Sequence, residues 1–455
     1  GGVGSNTGTL SNVYVKGSVA GEEQVGGLVG LNSGAANVAY AYAAGSVSGG
    51  DHTGGLIGEN AGGAVTHSYW DAEAGGLLVS DGGEGKTTAD MQLAATYSGW
   101  DFAGTWAMMD GTTYPMFIRH FDAVKLQALG ATSTDGVLSW VPAVFEASQG
   151  AYNLLADRYI ESVHITASPA VSPTTVTIGA AESASAQASV KPGINAIWIG
   201  TTGINGMPNG AYRLTIKVPA PEMTGLDVPP ARNYGIGDAL TFTVSYEGDV
   251  DVVNTPEIPI TIGEGADATT VYATYAGQPV GERNKLLFTY TVQEGLVHSN
   301  DIAIGTNIQL PSGAAIHAAE TTVAAPLALP AKSTTGILVD SVRPDITLSQ
   351  QPASTVTTND PVTVTATLDG TGSDIALTKW SEGTRTADYF ATGGQSLTGD
   401  SFQATANGTY SVYAIDEAGN EAVAQITIAN IRRPSSGSGN TGSTAEPPIP
   451  SKGPK

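Results

Sequence analysis

The sequence contains no cysteine, which excludes disulfides, thiolate chemistry and any metal site built on cysteine. Basic residues are also scarce: 19 lysines and arginines stand against 42 acids, for a net charge of −23. Such an acidic surface repels polyphosphate, so we expect no nucleic-acid partner. No signal peptide and no apolar run of the roughly 18 residues that a membrane helix needs is visible, so we expect no membrane insertion within these residues.

Catalytic signatures are missing as well. The six histidines form no His-x-x-x-His pair, and no Gly-x-Ser-x-Gly sequence is present. The stretch "SDGGEGKTTADM" resembles a phosphate-binding loop through Gly85, Lys86 and Thr87, but Ser80 stands where that loop needs glycine, and no long helix follows. We predict no catalytic residue and no bound cofactor. The histidines are His52, His67, His120, His164, His298 and His317.

The residues that are abundant predict an all-β chain. Valine, isoleucine, alanine, threonine and tyrosine suit pleated, half-buried surfaces, and no long stretch has a 3.6-residue apolar period. The 455 residues are enough for three or four domains of ordinary size.

The first part of the chain is an internal repeat. The pairs Gly26-Gly27 and Gly54-Gly55 lie 28 residues apart, as do Asn32 and Asn60, and "GGVGSN" at the start reads as an earlier copy. Tyr14, Tyr42 and Tyr69 keep nearly the same spacing. A fixed period in this range predicts a solenoid whose glycines serve corners and close backbone approaches. Asn32 and Asn60, at matching corners, would form a side-chain ladder. Since the chain begins inside a repeat, we expect it to be part of a longer protein.

The segments "GGLVGLNSG" and "GGLIGENAG" resemble GLUG repeats, which recur in bacterial surface adhesins and in non-catalytic parts of IgA-specific metalloproteases. The resemblance covers about residues 1–118 and implies a short parallel β-helix, with residues 1–120 forming the first domain. Thr87 or Thr88 would cap a short helix running to about Tyr97. That helix, with Trp100, Phe102 and Trp106, would cover the exposed end of the solenoid.

Three β-sandwich modules are predicted after the repeat, from short strands and polar turns that recur about every 8–12 residues. Residues 121–220 resemble a bacterial cadherin-like sandwich, and residues 221–341 resemble a bacterial immunoglobulin-like repeat. Residues 342–431 resemble an immunoglobulin-like sandwich in which Tyr410 is the corner tyrosine, Val412 replaces a cysteine and Trp380 is the core tryptophan. Residues 432–455 form a Pro/Ser/Gly-rich tail, which we expect to be a disordered linker.

Calcium is the one metal that the sequence suggests, because paired acids in turns offer hard oxygen ligands. No twelve-residue calcium loop is present, and solvated turns explain the same acids. The candidate ligands are Asp249, Asp251, Asp340, Asp345 and Asp360.

Together these features predict a non-catalytic, monomeric, extracellular region of a bacterial surface or secreted protein, acting as a stalk and presentation surface. Its partner would be a host or cell-wall glycan or a surface protein. Two alternatives remain open at this point. The chain could be the accessory region of a large secreted protease or glycan-degrading enzyme. Or one sandwich could be a carbohydrate-binding module that stacks sugars on Trp140, Trp198 or Trp380, although burial in the core is the favoured role for each of these side chains.

Overall fold

The computed structural model describes residues 2–172, 174–203, 209–263, 265–298 and 300–432. The tail predicted for residues 432–455 lies outside these ranges except for Arg432. Strands dominate the described chain, and each helix is short, so the all-β prediction is confirmed. No helix in these ranges is both long and apolar enough to cross a membrane.

The start of the chain forms parallel sheets between successive 28-residue repeats. Val19 pairs with Val47, Val25 pairs with Thr53, and Val29 pairs with Ile57, each 28 positions further along. The strands are β1 Val3–Asn6, β2 Thr9–Val15, β3 Val19–Ala20, β4 Val25–Gly26, β5 Val29–Ser33, β6 Asn37–Ala43, β7 Val47–Ser48, β8 Thr53–Gly54, β9 Ile57–Ala61, β10 Ala64–Thr66, β11 Tyr69–Asp71 and β12 Glu84–Lys86. The middle repeat contributes four strands, β4 to β7, and each of them pairs in parallel with its counterpart in at least one neighbouring copy.

The asparagine ladder predicted from the repeat is confirmed. Asn6 donates to the amide oxygen of Asn32 at 2.8 Å, and Asn32 donates to that of Asn60 at 2.9 Å. Asn32 is fully buried and lies within β5 rather than at a corner. Each amide both donates and accepts, so the row satisfies polar groups that water does not reach.

The glycine pairs exist because the backbone packs against itself. A Cβ on Gly26 would lie 1.8 Å from the carbonyl oxygen of Val29, and one on Gly54 would lie 1.9 Å from that of Ile57. These equivalent positions therefore exclude every other residue type.

Residues 87–117, here called the aromatic segment, pack along the flank of the repeats. Tyr14, Tyr42 and Tyr69 form a row that crosses three successive repeats, and Tyr14 stacks on Tyr42 with ring centroids 5.2 Å apart. Trp106 contacts the first two tyrosines, and Trp100 contacts the last two. Because that row runs in the direction of stacking, the tryptophans cover a side of the repeats. The prediction that they cover the end was wrong.

Residues 77–86 lie against the last repeat instead. The Trp70 indole donates to the carbonyl of Leu77 at 3.0 Å, and β12 extends the sheet from β11. The short elements of this part of the chain are α1 Ala72–Gly75, α2 Thr88–Met91, a 3₁₀ turn Ala94–Thr96, β13 Trp106–Ala107, β14 Met116–Phe117 and α3 Ile118–Val124.

Two sheets enclose the first sandwich core. One is ordered β15-β18-β20 and the other β16-β17-β22-β21-β19. Strict alternation in β22, whose inward residues include Tyr212, Leu214 and Ile216, fills the space between them. The strands are β15 Leu126–Thr132, β16 Leu138–Val141, β17 Ala151–Ala156, β18 Ser162–Pro169, β19 Thr175–Ile178, β20 Ser185–Ser189, β21 Gly193–Thr202 and β22 Gly210–Val218.

The second sandwich core lies behind a six-stranded sheet, β23-β25-β29-β28-β27-β31, and is completed by the sheets β24-β33-β30 and β26-β32. Phe242, Phe288 and Tyr246 are among its fully buried side chains. Its elements are β23 Met223–Asp227, β24 Arg232–Tyr234, β25 Ala239–Tyr246, β26 Val250–Val253, β27 Glu257–Ile262, a 3₁₀ turn Gly265–Asp267, β28 Thr269–Gly277, β29 Lys285–Thr291, β30 Val297–His298, β31 Ala303–Ile304, β32 Ala315–Ala318 and β33 Ile337–Asp340.

The third sandwich packs the sheet β34-β35-β38 against β37-β36-β39-β40. The three positions predicted for its core are confirmed: Tyr410 and Val412 are buried, and Trp380 stacks on Phe402 with ring centroids 4.1 Å apart. Its elements are β34 Asp345–Gln351, β35 Val362–Asp369, β36 Ile375–Glu382, α4 Ala387–Phe390, β37 Gln395–Ser396, β38 Ser401–Ala404, β39 Gly408–Asp416 and β40 Glu421–Ile428.

Candidate functional site

The glycine-rich stretch at residues 80–91 serves the fold and has no phosphate-loop geometry. The Ser80 hydroxyl accepts from the amides of Leu56 and Ile57 and donates to the Ile57 carbonyl at 3.1 Å, which fixes the stretch on the last repeat. Lys86 lies in β12 and pairs with Glu84 at 2.5 Å. A cation held in a strand by a neighbouring acid is not available as a phosphate lysine.

Thr87 is the N-cap of α2, as the sequence predicted. Its hydroxyl accepts from the amide of Asp90 at 3.1 Å. The helix ends at Met91 rather than near Tyr97, because Leu93 is extended and the Ala94 amide donates to Asp110 at 2.7 Å. The predicted start is therefore confirmed, and the predicted length was wrong.

The five acids considered for calcium lie at separate places. Asp249 and Asp251 flank the start of β26, and Asp340 ends β33. Asp345 begins β34 with an exposed side chain, and Asp360 is exposed in the loop before β35. Within the described ranges, no group of three or more histidines and acids could hold a metal ion. The five candidate calcium ligands therefore do not form one site within the described ranges.

Asp251 has protein partners instead. Its carboxylate accepts from the Glu320 amide at 2.8 Å and from the Arg283 guanidinium at 2.6 Å. These two bonds favour the charged form and lower the pKa of Asp251. The carboxylate fastens β26 to neighbouring loops of the second sandwich.

Asp340 lies in a buried polar cluster between the second and third sandwiches. Its carboxylate accepts from the Ser373 hydroxyl at 2.5 Å and from the Val342 amide at 3.1 Å. Burial raises the pKa of Asp340, and the nearby Asp416 carboxylate raises it further. The cluster bridges residues of both sandwiches, so it belongs to the joint.

Asn420 connects the two sandwiches most directly. Its amide donates to the carbonyl of Asp340 at 2.8 Å and to Asp416 at 2.9 Å, while its oxygen accepts from the Ile236 amide at 2.8 Å. The side chain is 2% exposed. A buried amide with all these bonds made fixes two backbones relative to each other.

Arg343 adds a second tie at the same joint. Its guanidinium pairs with Glu294 of the second sandwich at 3.0 Å and donates to the Glu421 carbonyl of the third at 2.7 Å. Arg343 lies between the last strand of the second sandwich and the first strand of the third, and its contacts reach both sides of the joint.

Side-chain contacts also join the first sandwich to the second, and the aromatic segment to the first sandwich. Lys191 of the first sandwich pairs with Glu320 of the second at 2.5 Å, and a Cβ on Gly248 would lie 2.5 Å from the Tyr159 ring. Between the aromatic segment and the first sandwich, the Thr112 hydroxyl donates to the Ala211 carbonyl at 2.5 Å. Met109 from that segment is part of the first sandwich core.

The three tryptophans considered for sugar stacking differ in exposure. Trp140 packs edge-on against Tyr152 beside the first core, and Trp380 packs against the third core. Trp198 is 47% exposed, on the outer face of β21. Only Trp198 thus presents an open ring.

Comparison with known proteins gives one family match. The GLUG motif matches residues 21–48, which agrees with the repeat signature. No curated protein matches the chain.

Solved structures with similar folds are fibronectin III and immunoglobulin-like modules. The FN1–FN3 domains of chicken CNTN1 are 12% identical, over 61% of this chain and 96% of that one, with a TM-score of 0.23. Fibronectin(III)-like modules of Clostridium thermocellum CbhA are 14% identical, over 45% and 94%, with a TM-score of 0.21. The ICAM-5 D1–D4 ectodomain fragment is 12% identical, over 67% and 77%, with a TM-score of 0.29. At these values the likenesses say nothing about function.

Sequence reasoning missed Asn420 and left Trp198 undecided. Asn420 lies at the end of the turn between β39 and β40, where its backbone N–H donates to the Asp416 carboxylate at 2.8 Å. Its contact with the second sandwich depends on tertiary placement, for which the sequence holds no signal.

Proposed function

We propose that these residues form a non-catalytic structural and adhesive region of an extracellular bacterial surface protein. In this proposal residues 1–120 are a short parallel β-helix capped by residues 77–86 and not by the tryptophans of the aromatic segment. A cadherin-like sandwich at 121–220 follows, then immunoglobulin-like sandwiches at 221–341 and 342–431, and a linker at 432–455. The region acts as a monomeric stalk that holds binding surfaces at a fixed distance from the cell.

The observation that carries the proposal is the tied joint between the second and third sandwiches. Asn420, Asp340 and Arg343 join the two sandwiches through direct hydrogen bonds. The side chains of Asn420 and Asp340 are buried. Modules with few contacts move independently by default, so such ties favour a load-bearing or spacing role. The GLUG motif at residues 21–48 and the sandwich folds are consistent with a surface region.

The test is a distance measurement across the joints, for which the absence of native cysteine is an advantage. Spin labels at the exposed positions of Thr241→Cys and Thr427→Cys span the joint between the second and third sandwiches, here called the second joint. Labels at Thr132→Cys and Thr241→Cys span the joint between the first and second sandwiches, here called the first joint. Double electron–electron resonance should give one narrow distance distribution for each pair. A broad distribution, as flexibly linked beads would give, contradicts the stalk proposal.

A further inference from the structure

The outer face of the sheet β16-β17-β22-β21-β19 is an unusual surface for this chain. Here it is called the tryptophan face, and it consists of the outward residues of those five strands. Four large apolar side chains stand exposed on it. They are Val141 at 52%, Leu155 at 46%, Ile194 at 78% and Trp198 at 47%.

The pairing register brings these residues together. Trp198 lies opposite Arg213, Ile194 lies opposite Lys217, and Lys217 lies in turn opposite Leu155. Cross-strand neighbours on one face are about 4.5–5.5 Å apart at Cβ, so the apolar groups and the two cations form one continuous patch. Small residues surround the indole: Ala196 and Gly200 on its own strand and Ala151 beyond Arg213 leave the ring raised above the sheet.

The charge of this patch is positive, opposite in sign to the net charge of the chain. The five strands contain no aspartate or glutamate, although acids outnumber bases by 42 to 19 in the chain. Nine lysines and arginines in the described ranges pair with an acid; Arg213 and Lys217 are among those that have no carboxylate of the described residues within 4.0 Å. The Arg213 Nε atom is shielded from water and has no hydrogen-bond partner within the described chain.

Arg213 also orients the indole. Its guanidinium carbon lies 5.7 Å from the centroid of the Trp198 ring, in cation–π range. A fixed, exposed indole beside free cations suits a ligand that has both an apolar ring face and negative charge. A pyranose ring carrying a carboxylate or sulfate has both: its C–H face stacks on the indole, and its anionic group meets the guanidinium and ammonium.

We propose that the tryptophan face binds an anionic polysaccharide, with Trp198 as the stacking platform and Arg213 and Lys217 as the charge contacts. Charge complementarity selects this ligand over a neutral glycan. The proposal adds a ligand to the adhesive role given above, yet it depends on no joint, so each proposal can fail without the other.

The test is binding of the whole chain to polygalacturonate in a buffer with a chelator, which removes metal bridging. Its fully methyl-esterified form is the matched neutral probe, because the sugar backbone is the same and each carboxylate is replaced by an uncharged methyl ester. We expect binding to polygalacturonate and at least about tenfold weaker binding to the ester. The variants Trp198→Ala and Lys217→Gln should each weaken polygalacturonate binding, the first by about tenfold. Chondroitin sulfate tests whether a sulfated chain is also accepted.

Matched controls keep the result specific. Tyr272→Ala removes a 42%-exposed aromatic from the second sandwich, and Lys332→Gln removes an exposed cation far from the face in sequence. Both should bind like the parent chain, and all variants should keep its thermal unfolding midpoint. Absence of binding to both polyanions, equal binding to the ester, or unchanged binding by Trp198→Ala would overturn the proposal. So would concentration-dependent dimerisation that Trp198→Ala abolishes when no glycan binds, since the face would then be an interface between copies.

Discussion

Individual side chains stabilise the third sandwich in place of the disulfide that joins the two sheets of an antibody domain. The third sandwich has no cysteine, and Val412 pairs opposite Trp380 at the position that a disulfide would occupy. Tyr410 then fastens the corner: its hydroxyl donates to the Ala406 carbonyl at 2.9 Å. Packing and this corner contact therefore stabilise a core that has no disulfide.

Removing that hydrogen bond should weaken the third sandwich. Tyr410→Phe keeps the ring and leaves the Ala406 carbonyl unpaired, so we expect a loss of about 1 kcal/mol in its unfolding free energy. Hydrogen exchange of peptides from β39, followed by mass spectrometry, measures it. Tyr389→Phe, in the same sandwich but 36% exposed, removes a long 3.3 Å contact from the Ser381 hydroxyl and should change exchange little. An equal effect of both variants would contradict the role assigned to Tyr410.

The buried Asp340 predicts a pH dependence. Its folded pKa is raised, so protonation stabilises the folded state. That stabilisation is fully present below the ordinary aspartate pKa of about 3.9 and is lost as pH rises through the raised value. Asp340→Asn removes the charge and keeps an acceptor for the Val342 amide, while its NH2 group donates to the Ser373 hydroxyl in place of accepting from it.

The comparison uses thermal unfolding midpoints between pH 7 and pH 4. Relative to Asp340→Asn, the parent chain should gain stability as pH falls, because other carboxylates titrate in both proteins and cancel. Asp360→Asn, at an exposed loop position, is the control for the loss of one carboxylate outside the cluster. A parent chain that loses stability relative to Asp340→Asn on acidification would show that the folded pKa is lowered.

Among the structural elements, the parallel repeats depend on how closely their backbones approach. Gly17 and Gly45 occupy the same position in successive repeats, 28 residues apart. A Cβ on Gly45 would lie 2.2 Å from the Gly17 carbonyl oxygen, whereas a Cβ on Gly17 would meet nothing within 4 Å. At this repeat position there is thus no room for a side chain at Gly45, whereas there is room for one at Gly17.

Alanine at the two positions should therefore change stability by very different amounts. Gly45→Ala forces two repeats apart and should destabilise the repeats by about 3 kcal/mol. Gly17→Ala should change stability by no more than about 0.5 kcal/mol. Hydrogen exchange in β6 and β7 measures both. Equal tolerance of the two substitutions would show that the repeats are not packed at this distance.

For the molecule as a whole, the joints decide whether the modules act as one body. Asn420→Ala removes three hydrogen bonds at the second joint at once. We expect the distance distribution between labels at positions 241 and 427 to broaden, while each sandwich stays folded. Asn359→Ala, on an exposed loop of the third sandwich, is the control and should leave the distribution unchanged. If Asn420→Ala also leaves it narrow, the amide does not hold the joint.

The sequence by itself determined the features that depend on local pattern. The 28-residue spacing predicted which asparagines and tyrosines meet, since a repeat must pair with its own copy. The cap at Thr87 and the corner at Tyr410 followed from motifs a few residues long.

Tertiary structure decided which face of a strand meets the core and where modules touch. In β21, Ile194 and Trp198 alternate with Ile197 and Ile199, so both faces are apolar and the pattern cannot select one. Likewise, the sequence of the aromatic segment does not determine whether its tryptophans pack against the end or the flank of the repeats. Such choices depend on the apolar surface that distant parts of the chain leave open, and no local sequence contains that information.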